Sequence, residues 1–114
     1  MKLLLICERE KVKNPLISAL SPYDVEVIWY RDPIKAMDNL DETDPDAAIL
    51  SASDFPRHWK AFLGFLKGTF PKAIPVLLLI DDTFDQEERS KADALGIRGV
   101  IHEELAVPQE LGAL

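Results

Sequence analysis

The fold is decided by one stretch near the start of the chain, Leu3-Leu4-Leu5-Ile6-Cys7-Glu8. Five apolar residues in a row, with no polar residue alternating among them, are typical of a strand that is buried on both faces. Charged residues follow directly, so the run is far shorter than the ~20 residues that cross a bilayer. The same early charges, with no small-residue cleavage site after them, argue against a signal peptide. The sequence therefore predicts an internal strand of a covered sheet.

Four more apolar segments follow along the chain, and segments with helical spacing separate them. The further predicted strands cover residues 25–30, 47–50, 75–80 and 99–102. The predicted helices begin at Asn14-Pro15 and Asp32-Pro33, cover residues 59–70 and 85–95, and include a short fifth helix at 107–114. Because strand and helix alternate five times, we predict a doubly wound α/β fold with a five-stranded parallel sheet and right-handed crossovers.

The composition is that of one acidic globular domain. The chain has 114 residues, enough for a single hydrophobic core, and a formal net charge of −7. This charge disfavours binding to nucleic acid or to an anionic membrane. The single cysteine cannot close an internal disulfide, which suits a reducing compartment, and the two distant histidines give no zinc spacing. We therefore expect a cytoplasmic domain that contacts neither nucleic acid nor membrane.

Acidic side chains follow several predicted strands. In a doubly wound fold, ligands bind at the carboxyl ends of the strands, and Glu8, Asp54 and Asp81 all fall there. One interpretation is an acidic pocket for Mg²⁺ or Ca²⁺, which prefer carboxylate oxygens. The other is a set of solvated loop acids, with Asp54 in a turn and Asp82 capping the fourth helix. We favour the second, because spacing alone does not show that the acids converge.

Four blocks of sequence occur in the order and at the spacing of a known family. They are residues 2–8, 45–51, 75–81 and 94–104. Together they resemble the response-regulator receiver domain of two-component signal transduction, the chemotaxis-regulator-like fold, over nearly the whole chain. The resemblance implies a flavodoxin-like sheet with strand order 2-1-3-4-5, here with a short or truncated fifth helix.

The resemblance also implies a phosphorylation site, which this chain does not preserve. Receivers carry an Asp nucleophile where Ser51 stands, or Ala52 if the following loop has no insertion. Their acid pair that helps to hold Mg²⁺ is reduced here to Cys7 and Glu8. Cys7 itself is better explained as a small core residue than as a reactive thiol.

The two receiver residues that contact the phosphoryl group are also missing. Ile80 replaces the Thr that hydrogen-bonds it, and Glu103 replaces the Lys that pairs with it. Because Glu103 reverses the charge, it would repel an anion. We therefore expect a degenerate pseudo-receiver without enzyme activity and without a cofactor, Mg²⁺ being the only candidate that the acids suggest.

Three hypotheses for function follow. The first is a non-phosphorylatable receiver-like domain that acts by protein–protein interaction and regulates an attached or separate output module. The second is a small-molecule or divalent-ion sensor that uses the vacated active-site pocket. The third, and least favoured, is a true phosphoacceptor in which Asp54 or another displaced acid receives the phosphoryl group.

The short fifth helix suggests a contact surface. With only residues 107–114 available, part of the sheet should lose cover and favour a partner or a homodimer. Arg89 and Lys91 on the fourth helix would then meet Glu104 and Glu110 of a neighbouring copy. We expect residues 1–114 to form one receiver-like domain that is the amino-terminal part of a longer protein.

Overall fold

The computed structural model describes residues 1–103 of the chain, and strands and helices alternate through them. The elements are β1 Lys2–Ile6, α1 Glu10–Leu20, β2 Glu26–Tyr30, α2 Pro33–Asp38, α3 Leu40–Thr43, β3 Ala47–Ser51, α4 Trp59–Thr69, β4 Val76–Ile80, α5 Gln86–Ala94 and β5 Gly99–His102. All strands pair in parallel in one sheet of order β2-β1-β3-β4-β5. The predicted α/β fold and strand order are confirmed, and the predicted helix at residues 107–114 lies outside the described residues.

The core has two layers because successive residues of each strand point to opposite faces of the sheet. On one face Leu4, Leu50 and Leu78 pack with residues of α4 such as Phe62 and Leu63. The opposite face packs against α1, and its buried residues include Leu3, Leu5, Leu16, Ile49 and Leu79. Apolar residues on both faces explain why β1, β3 and β4 have near-continuous apolar sequences. No helix within residues 1–103 is long and apolar enough to span a membrane.

The extents of two helices and the cap of a third differ from the predictions. The first helix begins at Glu10 rather than at Asn14, and Pro15 lies inside it. The buried residues Val12, Leu16 and Leu20 explain the earlier start, because their spacing of four places them on one face. The predicted second helix is divided into α2 and α3, and the left-handed Asp44 ends α3. The cap of α5 is Asp85, which accepts a hydrogen bond from the Glu88 amide at 2.9 Å, so the prediction of Asp82 was wrong.

Candidate functional site

The candidate site lies at the carboxyl edge of the sheet, where the loops after β1 and β3 and the end of β5 meet. The parallel register brings the strand ends together, with Ile6 opposite Leu50 and Ser51 opposite Leu79. Five side chains from these three places form one hydrogen-bonded group, which we call the Arg9 network. Its members are Arg9, Ser51, Ser53, Asp54 and Glu103.

The centre of the network is the guanidinium of Arg9. Its Nη2 lies 2.6 Å from Glu103 Oε2 and its Nη1 lies 3.2 Å from Glu103 Oε1, so the two side chains meet in a two-point contact. Its Nε donates to Asp54 Oδ1 at 2.5 Å. Such two-point pairs are stronger and more specific in geometry than single contacts. One cation therefore joins two carboxylates that are far apart in the sequence.

Asp54 is almost completely buried, and both of its carboxylate oxygens accept hydrogen bonds. Its side chain is 4% exposed. While Oδ1 binds Arg9, Oδ2 accepts the backbone amide of Glu8 at 2.8 Å. The expectation that Asp54 is a solvated turn residue was therefore wrong in its exposure, although its own amide does close a turn on Ser51 Oγ at 3.0 Å. Burial costs a carboxylate its hydration, and these donors replace it.

Two serine hydroxyls complete the network. Ser53 Oγ donates to Glu103 Oε2 at 2.7 Å and accepts from Arg9 Nη2 at 3.2 Å. Ser51 Oγ lies 3.1 Å from Ser53 Oγ, and Ser51 is fully buried. Ser51 therefore acts as a hydrogen-bonding residue at the end of β3, in the position where the receiver resemblance places a nucleophile.

The charges of the network balance only in part. Glu103 is the main reason that the pKa of Arg9 is raised above its usual value, and Asp54 adds to the effect. The guanidinium consequently stays charged at every accessible pH. Two carboxylates against one guanidinium leave one excess negative charge, and this charge disfavours the approach of an anion. The expected repulsion of anions by Glu103 is thus partly offset by Arg9.

Cys7 ends the run that begins in β1, and it is fully buried. Burial raises the pKa of its thiol to about 11, with the charge of Asp54 as the next cause. The thiol is protonated at neutral pH and is therefore a poor nucleophile. Its backbone oxygen accepts the indole N–H of Trp29 at 2.9 Å. These features fit the predicted role as a core residue.

The predicted cation ligands do not converge. Asp54 is occupied by Arg9, Glu8 is exposed and contributes its backbone amide, and Asp81 accepts hydrogen bonds from Thr83 in a separate loop. Ile80 is half-buried and packs against the core. Within residues 1–103, no three His, Cys, Asp or Glu side chains are arranged to hold a metal ion. Of the three predicted ligands, only Asp54 binds a cation, the guanidinium of Arg9, which Glu103 binds as well.

Sequence reasoning missed Arg9 and Ser53. The signal for Arg9 was only partial. Glu103 stands in the position of the receiver Lys, and Arg9 directly follows Cys7 and Glu8, which stand in the positions of the receiver acids. An acid after β5 and a base after β1 are consistent with an ion pair at this edge of the sheet. Ser53 gave no comparable signal, because a serine in a loop is common.

The predicted contact residues on α5 have partners within their own helix. Arg89 Nε lies 3.2 Å from Asp93 Oδ1, and Lys91 Nζ lies 3.4 Å from Glu87 Oε1. Glu104 and Glu110, their predicted partners in a neighbouring copy, lie outside the described residues. The proposed contact between copies therefore stays a prediction.

Several solved structures are similar to this one. The signal receiver domain of an HD domain-containing protein from Pseudomonas fluorescens Pf-5 has a TM-score of 0.83 and 23% identity, over 98% of this chain and 89% of that chain. The isolated REC domain of RcsB from Salmonella enterica serovar Typhimurium has a TM-score of 0.81 and 18% identity, over 98% and 83%. The pseudo-receiver domain of the CikA protein has a TM-score of 0.69 and 20% identity, over 96% and 89%. The fold is therefore that of receiver domains.

Sequence comparison defines the family more closely. An uncharacterized protein of Treponema pallidum (strain Nichols) is 31% identical over 110 residues, which are 96% of this chain and 48% of that protein. The chain thus spans about half the length of this curated relative. The family TP_0454_N, described as an N-terminal domain, matches residues 1–97. This chain, with its receiver fold and its Arg9 network, belongs to the TP_0454_N family.

Proposed function

We propose that this chain is a receiver-like signalling domain that is not phosphorylated on aspartate and that acts by protein–protein interaction. It regulates an output module, attached or separate. The single observation that carries the proposal is the contact of Arg9 with both Glu103 and Asp54. This contact fills the carboxyl edge of the sheet, where a receiver would assemble Mg²⁺, a nucleophile and the phosphoryl group.

A nucleophile is the first requirement for phosphorylation. Ser51 and Ala52 occupy the expected position, and both are buried residues without a carboxylate. Asp54 is the nearest acid, but its two oxygens already bind Arg9 and the Glu8 amide. For Asp54 to attack a phosphodonor, it would have to give up its bonds to the Arg9 guanidinium and to the Glu8 amide. These contacts support the proposal that the domain is not phosphorylated on aspartate.

A counter-ion for the phosphoryl group is the second requirement. A bound divalent cation needs several carboxylate or carbonyl oxygens, and the carboxylates of Asp54 and Glu103 are already paired with Arg9. Arg9 cannot replace that cation for an incoming phosphate while its nitrogens donate to these acids. Ile80 offers no hydroxyl in the place of the receiver Thr.

Action through contacts with other protein is supported by the setting of similar domains. The Pseudomonas fluorescens structure is the receiver of an HD domain-containing protein, and the Treponema relative is about twice as long as the matched region. Both observations are consistent with a domain that functions as part of a longer protein, covalently linked to a second domain. We infer that the output module recognises the surface of this domain rather than its chemical state.

Intact-mass measurement after incubation with acetyl phosphate and Mg²⁺ tests this proposal. The expected result is an unchanged mass, while a receiver domain that retains its Asp gains a phosphoryl group under the same conditions. An adduct that is lost in an Asp54→Asn variant would show that Asp54 is a displaced phosphoacceptor. That result would support the third hypothesis and refute the proposal.

The second candidate function, a small-molecule sensor, has one supporting observation. A cleft of about 180 Å³ opens beside the Arg9 network, between the loops after β3 and β4. It is smaller than the roughly 300–1,000 Å³ of most small-molecule sites. Calorimetric titration with Mg²⁺ and common nucleotides separates the candidates, because the interaction function predicts no heat of binding with either.

A further inference from the structure

The cleft beside the Arg9 network has aromatic and apolar walls. Trp59 opens α4 and Phe84 lies in the loop after β4, with their ring centroids 5.7 Å apart. The remaining lining combines small apolar, hydroxyl and acidic residues: Ala52, Ser53, Pro56, Asp81, Thr83 and Glu88. A volume of about 180 Å³ accommodates one long side chain rather than a nucleotide-sized molecule.

The cleft is lined by two hydroxyl groups that already donate hydrogen bonds to carboxylates of the domain. Ser53 donates to Glu103, and Thr83 donates to Asp81 Oδ1. By contrast, both hydrogen bonds from Thr83 go to Asp81 Oδ1, and no other residue within residues 1–103 donates to Oδ2. A group that donates hydrogen bonds therefore finds an acceptor here, whereas an anion finds no hydroxyl donor.

The charge around the cleft also favours a cationic donor group over an anion. Residues 81–88 carry five carboxylates and no basic side chain. Lys60 and Lys91 pair with Glu88 and Glu87, and His102 contacts Asp82, so the two lysines offset only part of this negative charge. Hydrogen bonds from Thr83 are the main reason that the pKa of Asp81 is lowered, so this carboxylate stays ionised at neutral pH. A negative rim attracts a cation and raises its rate of encounter.

The domain already contains an example of the contact that such a cation would make. The ammonium of Lys60 lies 5.2 Å from the ring centroid of Trp59 and 3.0 Å from Glu88 Oε2. An aromatic face beside a carboxylate binds the apolar stem and the charged end of a basic side chain together. Asp81 offers a second carboxylate in the same cleft, and it is not paired with Lys60.

We propose that this cleft receives the basic side chain of a partner protein, an arginine or a lysine, against the half-buried ring of Phe84 and the carboxylate of Asp81. Trp59 is only 2% exposed and packs against the ring of Phe84. The inference rests on the proposed interaction function and specifies the kind of partner group. Arginine fits best, because its planar group stacks on aromatic rings and donates two parallel hydrogen bonds to a carboxylate. Basic anchor residues of this type contribute strongly to protein interfaces.

Titration of the full chain with N-acetylarginine amide, followed by two-dimensional NMR at constant ionic strength, tests the proposal. We expect saturable shifts at the Trp59 side chain and at the amides of residues 81–84, with a midpoint on the order of 10 mM for so small a probe. Trp29, which lies outside the cleft, serves as the internal control and should not shift. The neutral isostere N-acetylcitrulline amide should give no saturable response.

Two matched variants sharpen the test. Asp81→Asn should weaken binding of the arginine probe by about threefold or more, while Asp24→Asn, which removes an exposed carboxylate elsewhere, should leave it unchanged. Equal responses to the arginine and citrulline probes, or an unaffected Asp81→Asn variant, would overturn the proposal. Micromolar binding of the free probe would instead assign the cleft to a small molecule. None of these outcomes alters the phosphorylation test, so the two proposals fail separately.

Discussion

Arg9 and Glu103 are 94 positions apart in the sequence, and their side chains meet in a two-point contact with N–O distances of 2.6 and 3.2 Å. Arg9 follows β1, and Glu103 follows β5. The pair therefore connects the ends of β1 and β5 across the carboxyl edge of the sheet. Asp54, from the loop after β3, binds the same guanidinium. The guanidinium of Arg9 therefore connects three segments of the chain.

Arg9→Ala should destabilise the domain by about 2–3 kcal/mol. Removing one partner of a buried ion pair costs about 3–5 kcal/mol because the other charge is left unpaired, and the one-third exposure of Arg9 reduces this figure. Urea unfolding of the variant measures the loss. Arg89→Ala, which breaks an exposed pair within α5, is the matched control and should cost no more than about 0.5 kcal/mol. Equal losses in both variants would show that Arg9 has no special structural role.

Cys7 should be unreactive in the folded domain. Near pH 8 its thiol is buried and protonated, so iodoacetamide should modify it only after unfolding in guanidinium chloride. The folded pKa of about 11 lies above the ordinary value of 9.0. The contribution of Cys7 to stability is therefore complete below pH 9 and is lost as the pH rises towards 11.

A Cys7→Ala variant provides the control for this pH dependence. It should lose less stability between pH 9 and 11 than the parent domain, as measured by urea unfolding at each pH. Rapid alkylation of the folded parent near neutral pH would contradict the account of Cys7 as a core residue.

Glu103→Lys alone should not allow phosphorylation. The substitution supplies the Lys of a receiver, but Ser51 still offers no carboxylate, and the new ammonium would repel Arg9. The double variant Ser51→Asp with Glu103→Lys has a better chance, although Ile80 still lacks a hydroxyl. Intact mass after treatment with acetyl phosphate distinguishes the variants. A phosphorylated single variant would show that the missing nucleophile has been placed wrongly.

Self-association near the predicted fifth helix is a further expected property. If Arg89 and Lys91 contact Glu104 and Glu110 of a second copy, they must exchange their present partners within α5. Such exchange between exposed pairs gains little energy, so we expect a weak dimer. Light scattering over a roughly hundredfold range of concentration should show a rising mass. A constant monomer mass, with no binding of a dye for apolar surface, would contradict this expectation.

The fold could be predicted from the sequence because its strands are buried on both faces. The apolar runs that contain Leu3–Ile6 and Val76–Ile80 have no polar interruption, and the helical segments between them alternate regularly. The start of α1 was misplaced because Pro15 was interpreted as a first-turn residue. In the structure, the apolar face from Val12 to Leu20 extends the helix to Glu10.

The site was harder to predict than the fold. Ser51 and Glu103 could be singled out by their place in the receiver-like pattern, but their hydrogen-bond partners could not be predicted. The partners in the Arg9 network come from segments 44 to 94 positions apart, and side-chain direction decides whether they meet. Treating Asp54 as a solvated acid followed from composition, and its burial beside Arg9 depends on the tertiary structure.

Arg9 fills the carboxyl edge of the sheet as its resident cation, paired with Asp54 and Glu103. The most direct test is to follow the Nε–H signal of Arg9 by NMR as Mg²⁺ is added to about 10 mM, a concentration that saturates weak carboxylate sites. We predict that the signal stays in place and remains protected from exchange, because Asp54 and Glu103 hold the guanidinium. A saturable shift that disappears in the Asp54→Asn variant would contradict the account, since Mg²⁺ would then have displaced Arg9 from its carboxylates.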